Sequence, residues 1–81
     1  MYTKEELARA KRTIAEIAEK HNVPEEQIRA EIQATISVSM SSADPYIQTQ
    51  WAECQREGTE PTPEEVITWL AKKVYQKVTI Q

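Results

Sequence analysis

Few side chains in this sequence are equipped for covalent or metal chemistry, and those few are scattered. The chain holds one histidine, His21, one cysteine, Cys54, and one aspartate, Asp44. A catalytic centre needs a nucleophile beside a base, and a metal centre needs several ligands that converge. No second histidine or cysteine stands near His21, and the chain contains neither a glycine-rich phosphate loop nor a Gly-flanked serine. Six of the twelve glutamates stand in pairs at helix starts, where capping accounts for them, and the rest are scattered. Enzymatic activity, a metal and a cofactor are therefore not expected. Charge is the other chemistry available. Arg9, Lys11, Arg12 and Lys20 could meet phosphates, although Glu5 and Glu16, each one turn before Arg9 and Lys20, offer two of the four an intrahelical partner. Lys72, Lys73 and Lys77 crowd the end of the last helix, where the macrodipole already favours cations.

These groups must be positioned by a small scaffold. Eighty-one residues are expected to form a single domain over 1–81, and such a chain buries only about 60–65% of its unfolded surface. With 40% hydrophobic and 28% charged residues it is too apolar for disorder. No uncharged apolar run approaches the roughly 18 residues of a membrane span, so no membrane partner is expected. A lone cysteine and no basic-then-apolar leader point to a reducing, cytoplasmic setting. The net charge of −3 does not advertise a polyanion ligand. By segment, residues 1–22 and 63–81 each carry +1, whereas 23–42 carry −2 and 43–62 carry −3.

The patterning predicts an all-α, compact four-helix domain. Thr3 and Glu6 form a capping-box pattern before a first helix over about 3–20, with Leu7, Ala10, Ile14, Ile17 and Ala18 at helical spacing. A second helix, 24–40, has Pro24 at its first position, Glu25 and Glu26 in its first turn, and the stripe Ile28, Ile32, Ile36 and Met40. It is expected to fray in the serine-rich run 37–42. Asp44-Pro45 starts a short third helix carrying Ile47, Trp51 and Cys54 on one face and ended by Gly58, the only glycine, in a left-handed conformation. Thr62-Pro63-Glu64-Glu65 is the strongest start signal. The fourth helix then runs to about Val78 with Val66, Ile67, Leu70, Ala71, Val74 and Val78 on one face. If Ile67, Leu70 and Val74 close the core, Trp69 and Lys73 face outward together. The tail Val78-Thr79-Ile80 is β-prone but too short to pair alone. Cys54 reads as a small buried residue, and Trp51 or Trp69 as an anchor that could sit half exposed at a dimer contact.

The spacing around His21-Asn22-Val23-Pro24 reads as a helix-turn-helix. Ala18 is small where two helices must touch, Asn22 four residues on suits a left-handed backbone, and Ile28 six further on faces back into the pair. From roughly Arg12 to Val78 the chain resembles the C-terminal DNA-binding effector domain of the stage-zero sporulation response regulator, the master regulator of endospore formation. The residues that carry the likeness are Ile17-Ala18-Glu19-Lys20, Asn22, then Ile28, Ile32, Ile36 and Val38. Pro61-Thr62 and Glu65, Ile67, Ala71 and Lys73 complete it. No single motif is diagnostic; order and spacing agree across most of the chain.

The resemblance implies a regulator that places the second helix in the major groove of duplex DNA. It implies contacts at Gln27, Arg29, Ala30, Gln33 and Ala34, with phosphate contacts from Lys11, Arg12 and Lys20. In the family these outward positions are rich in arginine and end in histidine; here only Arg29 is basic. Arginine can grip guanine and glutamine adenine through paired bonds, so base reading by Gln27, Arg29 and Gln33 is one expectation. The other is an ordinary solvated helix face. The phosphate attraction that supplies non-specific affinity is reduced, and Glu25 and Glu26 sit at the end that enters the groove. With Asp44 as its sole aspartate and no room for a receiver domain, the chain is not expected to take phosphorelay control. Two functions stay open: a DNA-binding regulator, dimeric because one short helix reads too few bases, and a protein-interaction module pairing with itself or with another regulator.

Overall fold

Thr3 and Glu6 start the first helix reciprocally: the Glu6 N–H donates to Thr3 Oγ1 at 3.1 Å, and the Thr3 N–H to Glu6 Oε1 at 2.8 Å. The computed structural model describes the backbone of residues 1–79 and the side chains of residues 1–75. Four helices succeed one another, α1 (Lys4–His21), α2 (Glu25–Met40), α3 (Pro45–Ala52) and α4 (Pro63–Thr79), with no strand among the described residues. The architecture is all-α, as the patterning predicts. Lys77, Val78 and Ile80 have side chains outside the described residues.

Ala10, Ile14 and Ala18 form the buried seam of α1, four residues apart. Ile17, expected on the same face, is 37% exposed and lies outside this seam. Asn22 ends α1 at φ 56° and ψ 46°, the one positive φ among the described non-glycine residues. In that conformation the Val23 N–H reaches Ala18 O at 3.0 Å and the Asn22 N–H reaches Glu19 O at 3.1 Å, so two terminal carbonyls are satisfied. The turn forms where the asparagine was expected to bend the chain.

Pro24 departs from its expected role. It is the residue before the helix, not the first within it, with ψ at 148°. Its ring fixes only φ, which leaves ψ free to carry the chain out of the Asn22 turn while Pro24 O accepts from the Gln27 N–H at 3.1 Å. Helix α2 continues through Ser37 and Ser39 and ends at Met40, inside the serine-rich run. Ser37 Oγ donates to Glu60 Oε1 at 2.8 Å, Trp51 Nε1 donates to Ser39 Oγ at 2.8 Å, and Ser41 Oγ caps Val38 O at 2.9 Å. The Ser37 and Ser39 hydroxyls, engaged with other segments, do not compete for the helix ladder, and Ser41 bonds the last carbonyls at its end.

Asp44 caps α3 by accepting from the Tyr46 N–H at 2.9 Å. The helix ends at Ala52, earlier than expected, and Gly58 has no positive φ and no capping role. The chain instead tightens through Glu53 N–H to Gln50 O and Cys54 N–H to Trp51 O, both three-residue turns. This turn leaves Cys54 off the helix and buried with Ile36 and Val66. Thr62 and Glu65 then start α4 as a reciprocal box, with Thr62 N–H to Glu65 Oε1 at 2.7 Å and Glu65 N–H to Thr62 Oγ1 at 3.2 Å.

The face of α4 is the largest correction. Glu65, Val66 and Thr68 are buried and Trp69 packs partly on the Ile36–Cys54–Val66 cluster, whereas Leu70 is 49% and Val74 63% exposed and Ala71 is also exposed. Trp69 turns inward because Trp51 waits there, ring centroid 5.6 Å away, and the paired rings bury more apolar area than Leu70 offers. Helix α4 packs most extensively on α1, which also packs on α2; α3 rests on α2.

Candidate interaction surface

The residues expected to read bases divide into two sets. Arg29 is half-buried, and its guanidinium pairs with Glu64 in the first turn of α4, whose side chain is 13% exposed. Gln33 is half-buried too, and its amide donates to Glu60 Oε1 at 3.1 Å and Pro61 O at 3.3 Å. Both side chains fasten α2 to the segment that leads into α4. Gln27, Ala30 and Ala34 are exposed, and so are Glu25, Glu26, Glu31 and Val38. The solvent side of α2 thus combines small, amide and acidic groups, and the helix's single cation is turned away from it.

Lys11, Arg12 and Lys20 are exposed on α1 with no ion pair among the described residues. The intrahelical pairs Glu5–Arg9 and Glu16–Lys20 are also not formed there, since holding two long exposed side chains together gains little. Lys11 lines one depression with Arg29 and with Glu25, Glu26, Glu57, Glu64 and Glu65, so acidic groups there outnumber the basic ones. Lys72 and Lys73 of α4 take tertiary partners. Lys72 pairs with Glu6 at 2.7 Å and lies over the Tyr2 ring at 5.7 Å; Lys73 lies over Trp69 at 5.0 Å and donates to Gln50. Lys73 and Trp69 were expected to face outward together; Trp69 instead packs against the buried cluster, and Lys73, its side chain 40% exposed, covers the outer side of that ring.

Titration shifts are local. The Lys72 ammonium, followed by the Thr3 N–H, holds Glu6 below the usual carboxylate range. Burial raises the Cys54 thiol against an opposing hydrogen bond with Tyr2, and burial likewise raises Tyr2, whose hydroxyl accepts from the Gln55 N–H at 3.4 Å. A buried protonated thiol is inert. His21 is exposed at the end of α1, and no group of ligands that could hold a metal occurs among the described residues.

Periodicity did not disclose the feature that α2 and α4 make together. A groove of about 430 Å³ runs between them, lined chiefly by Ile32, Ile36, Trp51, Trp69 and Leu70, with Glu31 as its one charged residue. Trp51 and Trp69 each present a half-buried ring to it. The available signal was the pair of tryptophans, both too large for so small a core to enclose. No helix among the described residues is long and apolar enough to cross a membrane. Compared with protein-family models, curated proteins and solved structures, the chain matches none.

Proposed function

We propose that this domain works by protein contact through the α2–α4 groove, on a scaffold of helix-turn-helix type, and does not read duplex DNA with α2. The observation that carries this is the groove itself. An apolar channel between two helices, walled by isoleucine, leucine and two tryptophans, suits the apolar face of an amphipathic helix. The charge pattern supports the same reading, because the exposed groups of α2 include Glu25, Glu26 and Glu31 while Arg29 is paired with Glu64. The resemblance to a sporulation effector domain supports a regulatory setting without fixing the pathway, since a fold can outlive its first task. The domain is a cytoplasmic, non-enzymatic adaptor in this reading.

Two titrations at micromolar protein test it. A labelled random-sequence duplex at low ionic strength is expected to give no change in anisotropy. The dye 1-anilinonaphthalene-8-sulfonate is expected to light up by energy transfer from Trp51 and Trp69, and Leu70→Gln to abolish most of that signal. Salt-dependent duplex binding, or dye emission indifferent to Leu70→Gln, would overturn the proposal. One observation favours a second reading, duplex DNA held along α1: Lys11, Arg12 and Lys20 are exposed and unpaired among the described residues. That reading requires affinity falling steeply with salt and weakened by Arg12→Ala and Lys20→Ala.

A further inference from the structure

We infer that the occupant of the α2–α4 groove is a second copy of this chain, docked about a two-fold axis so that the exposed ridge of each α4 lies in the groove of the other. The inference rests on the adaptor reading and names its partner. A groove lined by Ile32, Ile36 and the two tryptophans needs a filler with large apolar side chains one helical turn apart. Among the described residues, Leu70 and Val74 are the one pair of exposed large hydrophobics at that spacing on a helix, 49% and 63% exposed. Leu70 also forms the edge of the groove. Ridge and groove are therefore neighbours on one face, which is the condition for a closed isologous pair: each surface offers what the other lacks.

Charge fits the same arrangement. For ion pairs to cross a two-fold axis, both signs must lie on one patch, and here Glu31 sits on the α2 rim and Lys73 over the Trp69 ring. An antiparallel crossing of the two α4 helices brings Lys73 of each copy toward Glu31 of the other. Within its own chain Lys73 donates to Gln50 and lies over Trp69, but the carboxylate nearest it, Glu53, stands 3.8 Å away, so the ammonium keeps hydrogen-bonding capacity for a second acceptor.

Sedimentation equilibrium of the whole chain is the test, with circular dichroism to confirm that each variant folds. A reversible dimer is expected, weakened at least about 30-fold by Leu70→Gln, as for a central anchor residue. Val74→Gln, further exposed and safer for folding, is expected to act in the same direction. Glu31→Lys and Lys73→Glu are each expected to weaken the dimer about tenfold, and the double variant to recover most of the loss, as coupled charges do. A chain that stays monomeric at millimolar concentration, or a dimer indifferent to both Leu70→Gln and Val74→Gln, would overturn the inference. A monomer whose groove still takes the dye removes the second copy but leaves the adaptor reading; loss of dye binding as well removes both.

Discussion

One torsion angle separates α1 from α2. An L-residue held at the φ of Asn22, 56°, ordinarily costs about 1–2 kcal/mol, and asparagine lowers that cost because its short amide bonds locally. Asn22→Ala is therefore expected to destabilise the chain by about 1 kcal/mol while Asn22→Gly stays within a few tenths, both read from urea unfolding midpoints. Equal stability of the alanine and asparagine proteins would remove the turn as the site of strain. Arg29 poses the question of structure against recognition in the sharpest form. Its removal strands Glu64, whose side chain is 13% exposed, so Arg29→Ala is expected to cost about 1–2 kcal/mol and the added change Glu64→Ala to return part of it. A thermal melt of the two variants checks this, and an unaltered melt for Arg29→Ala would return the guanidinium to the list of groups free for a ligand.

Glu65 does two jobs for α4. Besides closing the capping box with Thr62, its carboxylate accepts the Glu57 N–H at 3.2 Å and so ties the preceding loop to the helix start. Thr62→Ala is expected to cost about 1 kcal/mol, a usual capping loss. Glu65→Ala, which leaves two donors without their acceptor, is expected to cost about 2–3 kcal/mol. Chemical denaturation that ranked the two the other way round would show that the loop tie is idle. Helix starts were legible in the sequence because they are local: Thr3 with Glu6, Asp44 with Pro45, and Thr62 with Glu65 each lie within four residues of one another. Helix faces and ends were less so, because distant partners decide them. Leu70 and Val74 have as good a helical pattern as Val66 and Trp69, and partners on other helices, Trp51 on α3 and Glu6 on α1, decide which set turns inward. The same holds for Arg29 and Gln33, whose partners Glu64 and Glu60 lie 35 and 27 residues away in sequence. Gly58 misled for a related reason: burying Cys54 ends α3 before the glycine is reached.

The first and last helices of the chain form its broadest pairing, so the fold is closed by its own ends. Lys72 and Glu6 clamp that closure, and Thr68 Oγ1 donates to Glu6 O at 3.4 Å across it. Because Glu6 titrates below its ordinary range when folded, its contribution is present above the unfolded pKa and is lost as pH falls through the lowered folded value. The difference in unfolding midpoint between the wild-type chain and Glu6→Gln is therefore expected to be largest near neutral pH and to close in acid. A difference independent of pH would mean that the clamp is steric. Helix α3 is held otherwise: it has no fully buried residue and rests on α2, fastened chiefly by Trp51 through the Trp69 ring and the Ser39 hydroxyl. Few buried contacts make a segment the first to open. Native-state hydrogen exchange is expected to show Gln48 to Trp51 opening below the global free energy, while Ile14 and Ala18 of α1 exchange only on global unfolding. Trp51→Ala is expected to bring the α3 amides close to unprotected rates and leave those of α1 protected. Uniform loss across all four helices would instead mean that α3 belongs to the same cooperative unit as the α1–α4 pair, and that the wall Trp51 gives the groove is as rigid as the core behind it.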